Sequence, residues 1–224
     1  MTTALPAAVL WDMDGTLVDT EPYWMRAEGE LVREFGGTWT DEDALQVVGA
    51  GLWEAAAVFQ RAGVDLDADT IVARLTARVR EQLAEHGVPW QPGAQALLKS
   101  VRDAGVPTAL VTMSVRSMAE DIVAAIPFDA FDLLVTGDEV AEPKPHPEPY
   151  LTAAERLGVD IADCVAIEDS PPGLRSAASA GTVAIGVPHM VPLDPAGAHV
   201  IWPTLDGRTV DDIVELAASV KERA

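Results

Sequence analysis

Hydrophobic and polar positions follow two different patterns along this chain of 224 residues. A short apolar run at residues 7–11 predicts a buried strand at residues 7–12. In residues 20–89 the apolar positions recur at helical spacing, and no strand-like alternation is present. Beyond Pro92, helical stretches alternate with short apolar runs, a pattern typical of a parallel sheet with helices on both faces.

These patterns predict a core sheet that is interrupted by a helical insertion. Helices are predicted at residues 21–35, 42–48, 52–62, 68–86, 92–104, 115–125, 147–157, 172–180 and 209–222. Strands are predicted at residues 7–12, 108–112, 133–136, 164–167, 183–186 and 199–202. Because the first strand must join the later ones, residues 20–89 are an insertion. The predicted fold class is therefore α/β, with an all-helical segment placed between the first strand and the rest.

Composition and charge exclude several classes of partner. With 49% hydrophobic residues the chain can bury a substantial core. Its formal net charge of −21 argues against binding nucleic acid or an anionic membrane, because both require basic surfaces. No apolar run approaches the ~18 residues of a membrane span, and residues 1–6 lack the basic region of a signal peptide. We therefore expect a cytoplasmic protein that acts as a monomer, with no nucleic-acid or membrane partner.

Two carboxylates, Asp12 and Asp14, follow the first predicted strand, and Gly15 then allows a sharp turn. Open α/β sheets bind ligands beyond the carboxyl ends of their strands. Carboxylates this close repel each other unless a cation lies between them, and Mg²⁺ suits both carboxylates and phosphates. A simple turn is the alternative. A calcium loop is excluded, because Leu17 and Tyr23 stand where that loop needs glycine and glutamate.

Polar residues also follow the second strand and precede a later helix. Thr112 ends the strand predicted at 108–112, and Met113 and Ser114 lead into a helix, where hydroxyl and N–H groups can hold an anion. The alternative is an ordinary helix cap. Lys144 lies among alternating prolines, which give it a stiff, extended presentation suited to neutralising a carboxylate and a phosphate. The alternative is a solvated surface lysine.

A second acid pair, Glu168 and Asp169, follows the strand predicted at 164–167. With Asp12 and the backbone carbonyl of Asp14, these residues would complete a set of oxygen ligands for Mg²⁺. Helix capping by Asp169 or Ser170 is the alternative interpretation of this motif. The four predicted strand ends carry, in chain order, an acid pair, a hydroxyl group, a lysine and a second acid pair. A turn, a helix cap or a surface lysine could explain any one of these motifs. It is improbable that such structural roles explain all four.

This combination resembles the haloacid-dehalogenase-like hydrolase superfamily, in the branch of sugar phosphatases and β-phosphoglucomutases with a helical cap after the first strand. The resemblance covers essentially the whole chain. It rests on four motifs: Asp12-x-Asp14-Gly15-Thr16, Thr112, Lys144 and Glu168-Asp169. It implies a Rossmann-like catalytic core formed by residues 1–19 and 90–224, and a helical cap domain formed by residues 20–89.

The resemblance also implies roles for the motif residues. Asp12 would be the nucleophile that becomes an aspartyl-phosphate, and Asp14 would protonate the leaving oxygen and then activate water. Thr112 and Lys144 would hold the phosphoryl oxygens, while the acid pair at 168 and 169 would hold Mg²⁺. These roles agree with the general needs of phosphoryl transfer, which are positioning and charge neutralisation.

The resemblance is to a branch that contains both phosphatases and mutases, so the residues around the substrate must distinguish the two activities. Where the mutases carry a histidine and basic cap residues, this chain has Trp24, Val48 and Leu52. A bisphosphate would therefore lack a cationic partner, unless Arg26 or Arg74 takes that role. Candidate substrate-binding residues are Gly15, Thr16, Trp24, Gly49, Trp53, Met113 and Ser114.

We therefore predict a Mg²⁺-dependent phosphatase of small phosphomonoesters, sugar or polyol phosphates, whose partner is a small phosphorylated metabolite. Two alternatives are a β-phosphoglucomutase-like hexose-phosphate mutase and a non-catalytic phosphometabolite-binding protein.

Overall fold

A six-stranded parallel sheet forms the centre of the protein in the computed structural model, which describes residues 4–223. The strands are β1 (Ala8–Trp11), β2 (Thr108–Val111), β3 (Leu133–Val135), β4 (Cys164–Glu168), β5 (Val183–Gly186) and β6 (Val200–Ile201). Their order is β3-β2-β1-β4-β5-β6, and every neighbouring pair is parallel. This confirms the predicted fold class. The terminal residues 1–3 and 224 of the predicted core lie outside the described residues.

The helices follow the predicted sequence of elements. They are α1 (Glu21–Glu34), α2 (Asp41–Leu45), α3 (Leu52–Arg61), α4 (Ala68–His86), α5 (Ala94–Asp103), α6 (Arg116–Ala124), α7 (Glu148–Leu157), α8 (Pro171–Ala180) and α9 (Val210–Lys221). No helix within the described residues is long and apolar enough to cross a membrane.

Local chemistry explains where element boundaries differ from the predicted ones. The helix predicted at 42–48 begins at Asp41 and ends at Leu45, and the side chains of Thr40 and Asp43 cap its start reciprocally. The helix predicted at 92–104 begins only at Ala94, because Gly93 has a left-handed φ of 80°.

Helices α1–α4 form the part of the chain between the first two strands, and we call residues 20–89 the helical segment. Helix α4 packs against both α1 and α3. The chain enters and leaves this segment side by side, because the Asp19 N–H donates to the Pro89 carbonyl at 2.7 Å and the Gln91 N–H donates to the Leu17 carbonyl at 3.1 Å. The helical segment is thus joined to the sheet by two adjacent connections.

Both faces of the sheet are buried, as expected for a parallel sheet. Side chains alternate along β1, so that Trp11 packs into one apolar core and Leu10 into the other. The core that contains Trp11 continues into the helical segment through Trp24 and Phe59. Because β1 lies between β2 and β4, the residues that follow these three strands are neighbours at one edge of the sheet.

Candidate active site

The residues after β1, β2 and β4 meet in a cleft between the sheet edge and the helical segment. The cleft has a volume of about 670 Å³, part of it open to solvent. Its floor, the part formed by the sheet edge, is lined by Asp12, Asp14, Thr112, Met113, Ser114, Lys144 and Ser170. Its roof, the part formed by the helical segment, includes Glu21, Trp24, Glu28, Val47, Val48, Gly49, Leu52, Phe59 and Leu75.

Asp12 and Lys144 form a buried ion pair on the floor. The Lys144 ammonium donates to Asp12 Oδ1 at 2.7 Å and to the Val111 carbonyl at 2.8 Å, and it lies 2.7 Å from Glu168 Oε1. Burial and the Glu168 charge raise the pKa of Asp12 to about 7, and the neighbouring ammonium opposes this shift. Although burial lowers the pKa of Lys144, Asp12 and Glu168 raise it more, so the amine stays charged. The lysine is thus a charge-neutralising group at the predicted nucleophile.

Asp14 has its carboxylate oriented by four donors. Oδ1 accepts from the Thr20 hydroxyl at 2.5 Å and from the Trp24 indole N–H at 3.1 Å. Oδ2 accepts from the hydroxyls of Ser114 at 2.7 Å and Thr112 at 3.2 Å. Two of these donors come from the floor and two from the helical segment, so Asp14 links both sides of the cleft.

Three buried carboxylates beside the cleft could hold a metal ion. Asp12, Glu168 and Asp169 each offer an oxygen atom, and these atoms lie within 4.8 Å of one another. Burial, followed by the charges of Asp12 and Glu168, raises the pKa of Asp169 well above its usual range. Oδ2 of Asp12 and Oδ2 of Asp169 are buried without a hydrogen-bond partner among the described residues. Buried anionic oxygens without donors are costly, so this cluster fits a divalent cation that prefers oxygen ligands.

The acidic residues of the predicted metal site are not equivalent. Glu168 is already engaged, because the Tyr150 hydroxyl donates to its Oε1 at 2.6 Å and the Ser170 hydroxyl donates to its Oε2 at 3.3 Å. The Asp14 side chain lies outside the cluster, so only its backbone carbonyl is left for the predicted role as a metal ligand. Asp12 and Asp169 therefore provide the free oxygens.

Gly15 and Thr16, predicted to bind substrate, lie beside the metal cluster and do not line the cleft. Gly15 has a φ of 90°, and a Cβ there would lie only 2.0 Å from Asp169 Oδ2. The Thr16 hydroxyl donates to Asp169 Oδ1 at 3.3 Å. Both residues thus lie against Asp169, and their role in substrate binding stays a prediction.

The other predicted substrate-binding residues separate into two groups. Met113, Ser114, Trp24 and Gly49 all line the cleft. The indole N–H of Trp24, however, donates a hydrogen bond to Asp14. Trp53 does not line the cleft: it is 38% exposed, and its indole N–H donates to Asp69 at 2.8 Å.

Gly49 marks a close approach of the roof to the floor. It has a left-handed φ of 73°, and a Cβ there would come within 2.7 Å of the Ser170 side chain. A larger residue at this position would therefore push the helical segment away from the sheet edge.

A family model described as haloacid dehalogenase-like hydrolase matches residues 6–181. The chain belongs to this family. It is 30% identical over 189 residues to hexitol phosphatase B of Escherichia coli (strain K12), a match that covers 81% of this chain and 83% of that protein. It is 32% identical over 193 residues to the bifunctional riboflavin kinase/FMN phosphatase of Arabidopsis thaliana, covering 83% of this chain and about half, 49%, of that longer protein.

The fold agrees with that of proteins of known structure. The crystal structure of a mutant of CbbY from Rhodobacter sphaeroides, in complex with xylulose-(1,5)bisphosphate, superposes with a TM-score of 0.82 at 29% identity. The match covers 91% of this chain and 96% of that one. The predicted family and the predicted Rossmann-like α/β fold are therefore confirmed.

Sequence reasoning missed two acidic residues of this haloacid dehalogenase-like cleft. Glu21 and Glu28 lie on the roof and are each only 7% exposed. Burial, then the Asp14 charge, raises the pKa of Glu21 to about 8, and burial raises the pKa of Glu28 to about 7. Both lie on the face of α1 that also buries Trp24 and Leu31. The sequence does contain a signal for these residues, because charged side chains are rare at positions on the apolar face of an amphipathic helix.

Tyr150 was also missed, although it lies in the proline-rich stretch that singles out Lys144. Its ring is fully buried, and the Lys144 ammonium lies 5.2 Å from the ring centroid. Its hydroxyl orients Glu168. A tyrosine six residues after the lysine gives no sequence signal of its own, because the contact depends on how α7 packs against the sheet.

Proposed function

We propose that this hydrolase is a Mg²⁺-dependent phosphatase that acts on small phosphomonoesters, sugar or polyol phosphates, with Asp12 as the nucleophile. One observation carries the proposal. Asp12 lines the cleft with one oxygen paired to Lys144 and the other without a partner among residues 4–223, beside a buried acidic cluster. This arrangement combines a nucleophile, a fixed positive charge and a metal-type site at one point.

The proposed reaction has two steps. A carboxylate oxygen of Asp12 attacks phosphorus, the bond to the leaving oxygen breaks, and protonated Asp14 gives its proton to that oxygen. Asp14 then takes a proton from water, the resulting hydroxide attacks phosphorus, and inorganic phosphate leaves as Asp12 is restored. Lys144 offsets negative charge throughout, and the hydroxyls of Thr112 and Ser114 provide donors on the floor.

Mg²⁺ is the metal that we propose for the acidic cluster. Asp12 and Asp169 would bind it through their unpartnered oxygens, with Glu168 as the third carboxylate of the cluster. The backbone carbonyl of Asp14 is the further ligand that we propose. When bound, it would supply the positive charge that a transferring phosphoryl group requires. Mg²⁺ is preferred because it combines carboxylate ligands with substrate phosphates.

We further propose that residues 20–89 act as a cap domain above a catalytic core of residues 1–19 and 90–224. The two adjacent connections support this division, since both ends of the helical segment meet at one place. The donors that Thr20 and Trp24 give to Asp14 support a role for the segment in catalysis. The substrate class is supported by the name of hexitol phosphatase B and by the sugar bisphosphate bound to CbbY.

The test is phosphate release from a panel of sugar, polyol and glycolate phosphates, with and without Mg²⁺. Wild type is compared with Asp12→Asn, and exposed Asp65→Asn is the matched control. We expect release to need Mg²⁺ and Asp12, with a loss on the order of a thousandfold or more in Asp12→Asn. Phosphate transfer within β-glucose 1-phosphate without release would identify a mutase instead. Absence of turnover with every ester would contradict an enzyme and favour a binding protein.

A further inference from the structure

The roof of the cleft presents two carboxylates to the part of a substrate that lies beyond the phosphate. Glu21, Trp24 and Glu28 line it at positions i, i+3 and i+7 of α1, on one face of that helix. Among the cleft-lining residues within 4–223, Lys144 is the one cationic side chain, and it is already paired with Asp12 and Glu168. The described part of the roof therefore has two acidic side chains and no basic one.

Glu28 has a defined orientation in this roof. Its Oε2 accepts a hydrogen bond from the Trp39 indole N–H at 3.1 Å, and Trp39 packs on Phe59 with ring centroids 4.9 Å apart. No donor within the described residues reaches the other carboxylate oxygen, Oε1. Glu28 thus offers an oriented acceptor to the cleft.

Glu21 is a second acidic residue of the roof, and it has no partner within the described part of the protein. The residue is only 7% exposed, and its side chain has no hydrogen bond or ion pair with any of residues 4–223. Buried polar groups in folded proteins almost always have a partner. An acidic group that lines the cleft without a protein partner is therefore available to a substrate.

We propose that Glu28, oriented by Trp39, determines specificity by accepting a hydrogen bond from a hydroxyl or ammonium group on the alcohol part of a phosphomonoester. Because like charges repel in a partly buried site, the same carboxylate, once ionised, makes the cleft reject a second anionic group. This inference rests on the proposed phosphatase function and narrows its substrates to monophosphates whose remaining groups are uncharged or cationic. It sets this chain apart from CbbY, whose structure contains a bisphosphate.

The test compares wild type with Glu28→Gln on four matched esters: a hexitol monophosphate, its amino analogue, the hexitol bisphosphate, and methyl phosphate, which has no donor group. Glutamine keeps an acceptor for Trp39 but loses the charge. We expect kcat/KM to fall about tenfold for the donor-bearing monophosphates, mainly through KM. The bisphosphate should gain relative to the monophosphate, and methyl phosphate should be unchanged. A larger loss for the amino ester would assign the donor as ammonium, and a larger loss for the hexitol ester would assign it as hydroxyl.

Two further variants control this experiment. Trp39→Phe removes the donor that orients Glu28 and should shift the ester ratios in the same direction by a smaller factor. Glu42→Gln replaces an exposed glutamate of α2 and should change nothing. An equal effect of Glu28→Gln on all four esters, or no effect on any ratio, would overturn the inference. If wild type hydrolyses no ester, the proposed function fails instead, so the two failures are distinguishable.

Discussion

The floor and the roof of the cleft are both buried and both rich in carboxylates, but they treat charge in opposite ways. On the floor, Asp12 shares the Lys144 ammonium with Glu168, and Asp14 has four hydrogen-bond donors. On the roof, Glu21 and Glu28 have no cationic partner among residues 4–223, and one indole N–H, donated to Glu28, is the only donor that the two receive there.

This difference separates chemistry from selectivity. A phosphoryl group is common to every substrate of the proposed reaction, so its site can be preorganised with fixed charges and donors. The alcohol part varies between substrates, and the unpartnered acceptors of the roof suit groups that the protein itself does not provide. Changes on the floor should therefore affect all substrates, while changes on the roof should affect their ranking.

The largest effect is expected from removing the cation of the floor. Lys144→Met leaves Asp12 and Glu168 as buried anions, so we expect a loss of about 3–5 kcal/mol in the free energy of unfolding and near-complete loss of turnover. Urea denaturation and phosphate release measure the two effects. Lys99→Met is the control, because Lys99 is an exposed lysine that pairs with Asp103 on α5. Similar stability in the two variants would contradict the role of Lys144.

Metal binding should reverse the effect of a substitution at Asp169. In a chelator, Asp169→Asn should melt above wild type, because one of three mutually repelling buried carboxylates is removed. With Mg²⁺ at about a hundred times its dissociation constant, wild type should gain about 2.7 kcal/mol, and the variant much less. Calorimetry with and without Mg²⁺ detects this change of order. Equal stabilisation of both chains by Mg²⁺ would exclude Asp169 as a ligand.

The roof should contribute to the pH dependence of stability. The folded chain raises the pKa of Glu28 from 4.5 to about 7, so between these values it binds the proton more tightly than the unfolded chain does. The tighter binding of this proton by the folded chain adds to the free energy of unfolding. The added stability is fully present below about pH 4.5, falls as pH rises to about 7, and is absent above about pH 7.

Glu28→Gln should remove this dependence. The stability of the variant relative to wild type should therefore rise by on the order of 3 kcal/mol between about pH 4 and about pH 8, values that bracket the shift of Glu28. Urea titrations of both chains at the two pH values measure it, with Glu42→Gln as the exposed control. A constant difference between the chains would show that Glu28 titrates normally.

The smallest effect is expected at Trp53, the predicted substrate-binding residue that lies outside the cleft. Its indole contacts Asp69, a residue of the helical segment, so Trp53→Phe should change kcat/KM less than about twofold for every ester. Trp24→Phe is the comparison, since it removes a donor to Asp14 and should lower kcat for all esters. A substrate-selective loss in Trp53→Phe would restore the predicted role.

The sequence predicted the location of a residue correctly where a simple rule links its position along the chain to its location in the fold. Parallel strands end at one edge of a sheet, so polar residues after predicted strands, such as Asp12 and Asp169, could be expected to meet. Periodicity shows that α1 is a helix with a buried face but not what that face meets, and for this reason Glu28 and its contact with Trp39 were not foreseen. The sharp turn at Gly15 was predicted, but its close approach to Asp169 depends on how β1 and β4 pack side by side.

The most direct test of the central proposal is to identify the residue that carries phosphate during turnover. Wild type and Asp14→Asn are mixed with Mg²⁺ and 4-nitrophenyl phosphate, quenched in acid within milliseconds, and mapped by peptide mass spectrometry. Because 4-nitrophenolate leaves without a proton, Asp14→Asn should still form the intermediate but hydrolyse it slowly. We expect phosphate on Asp12, transient in wild type and accumulated in the variant. Phosphate on another residue, or turnover with none on Asp12, would contradict the proposed mechanism.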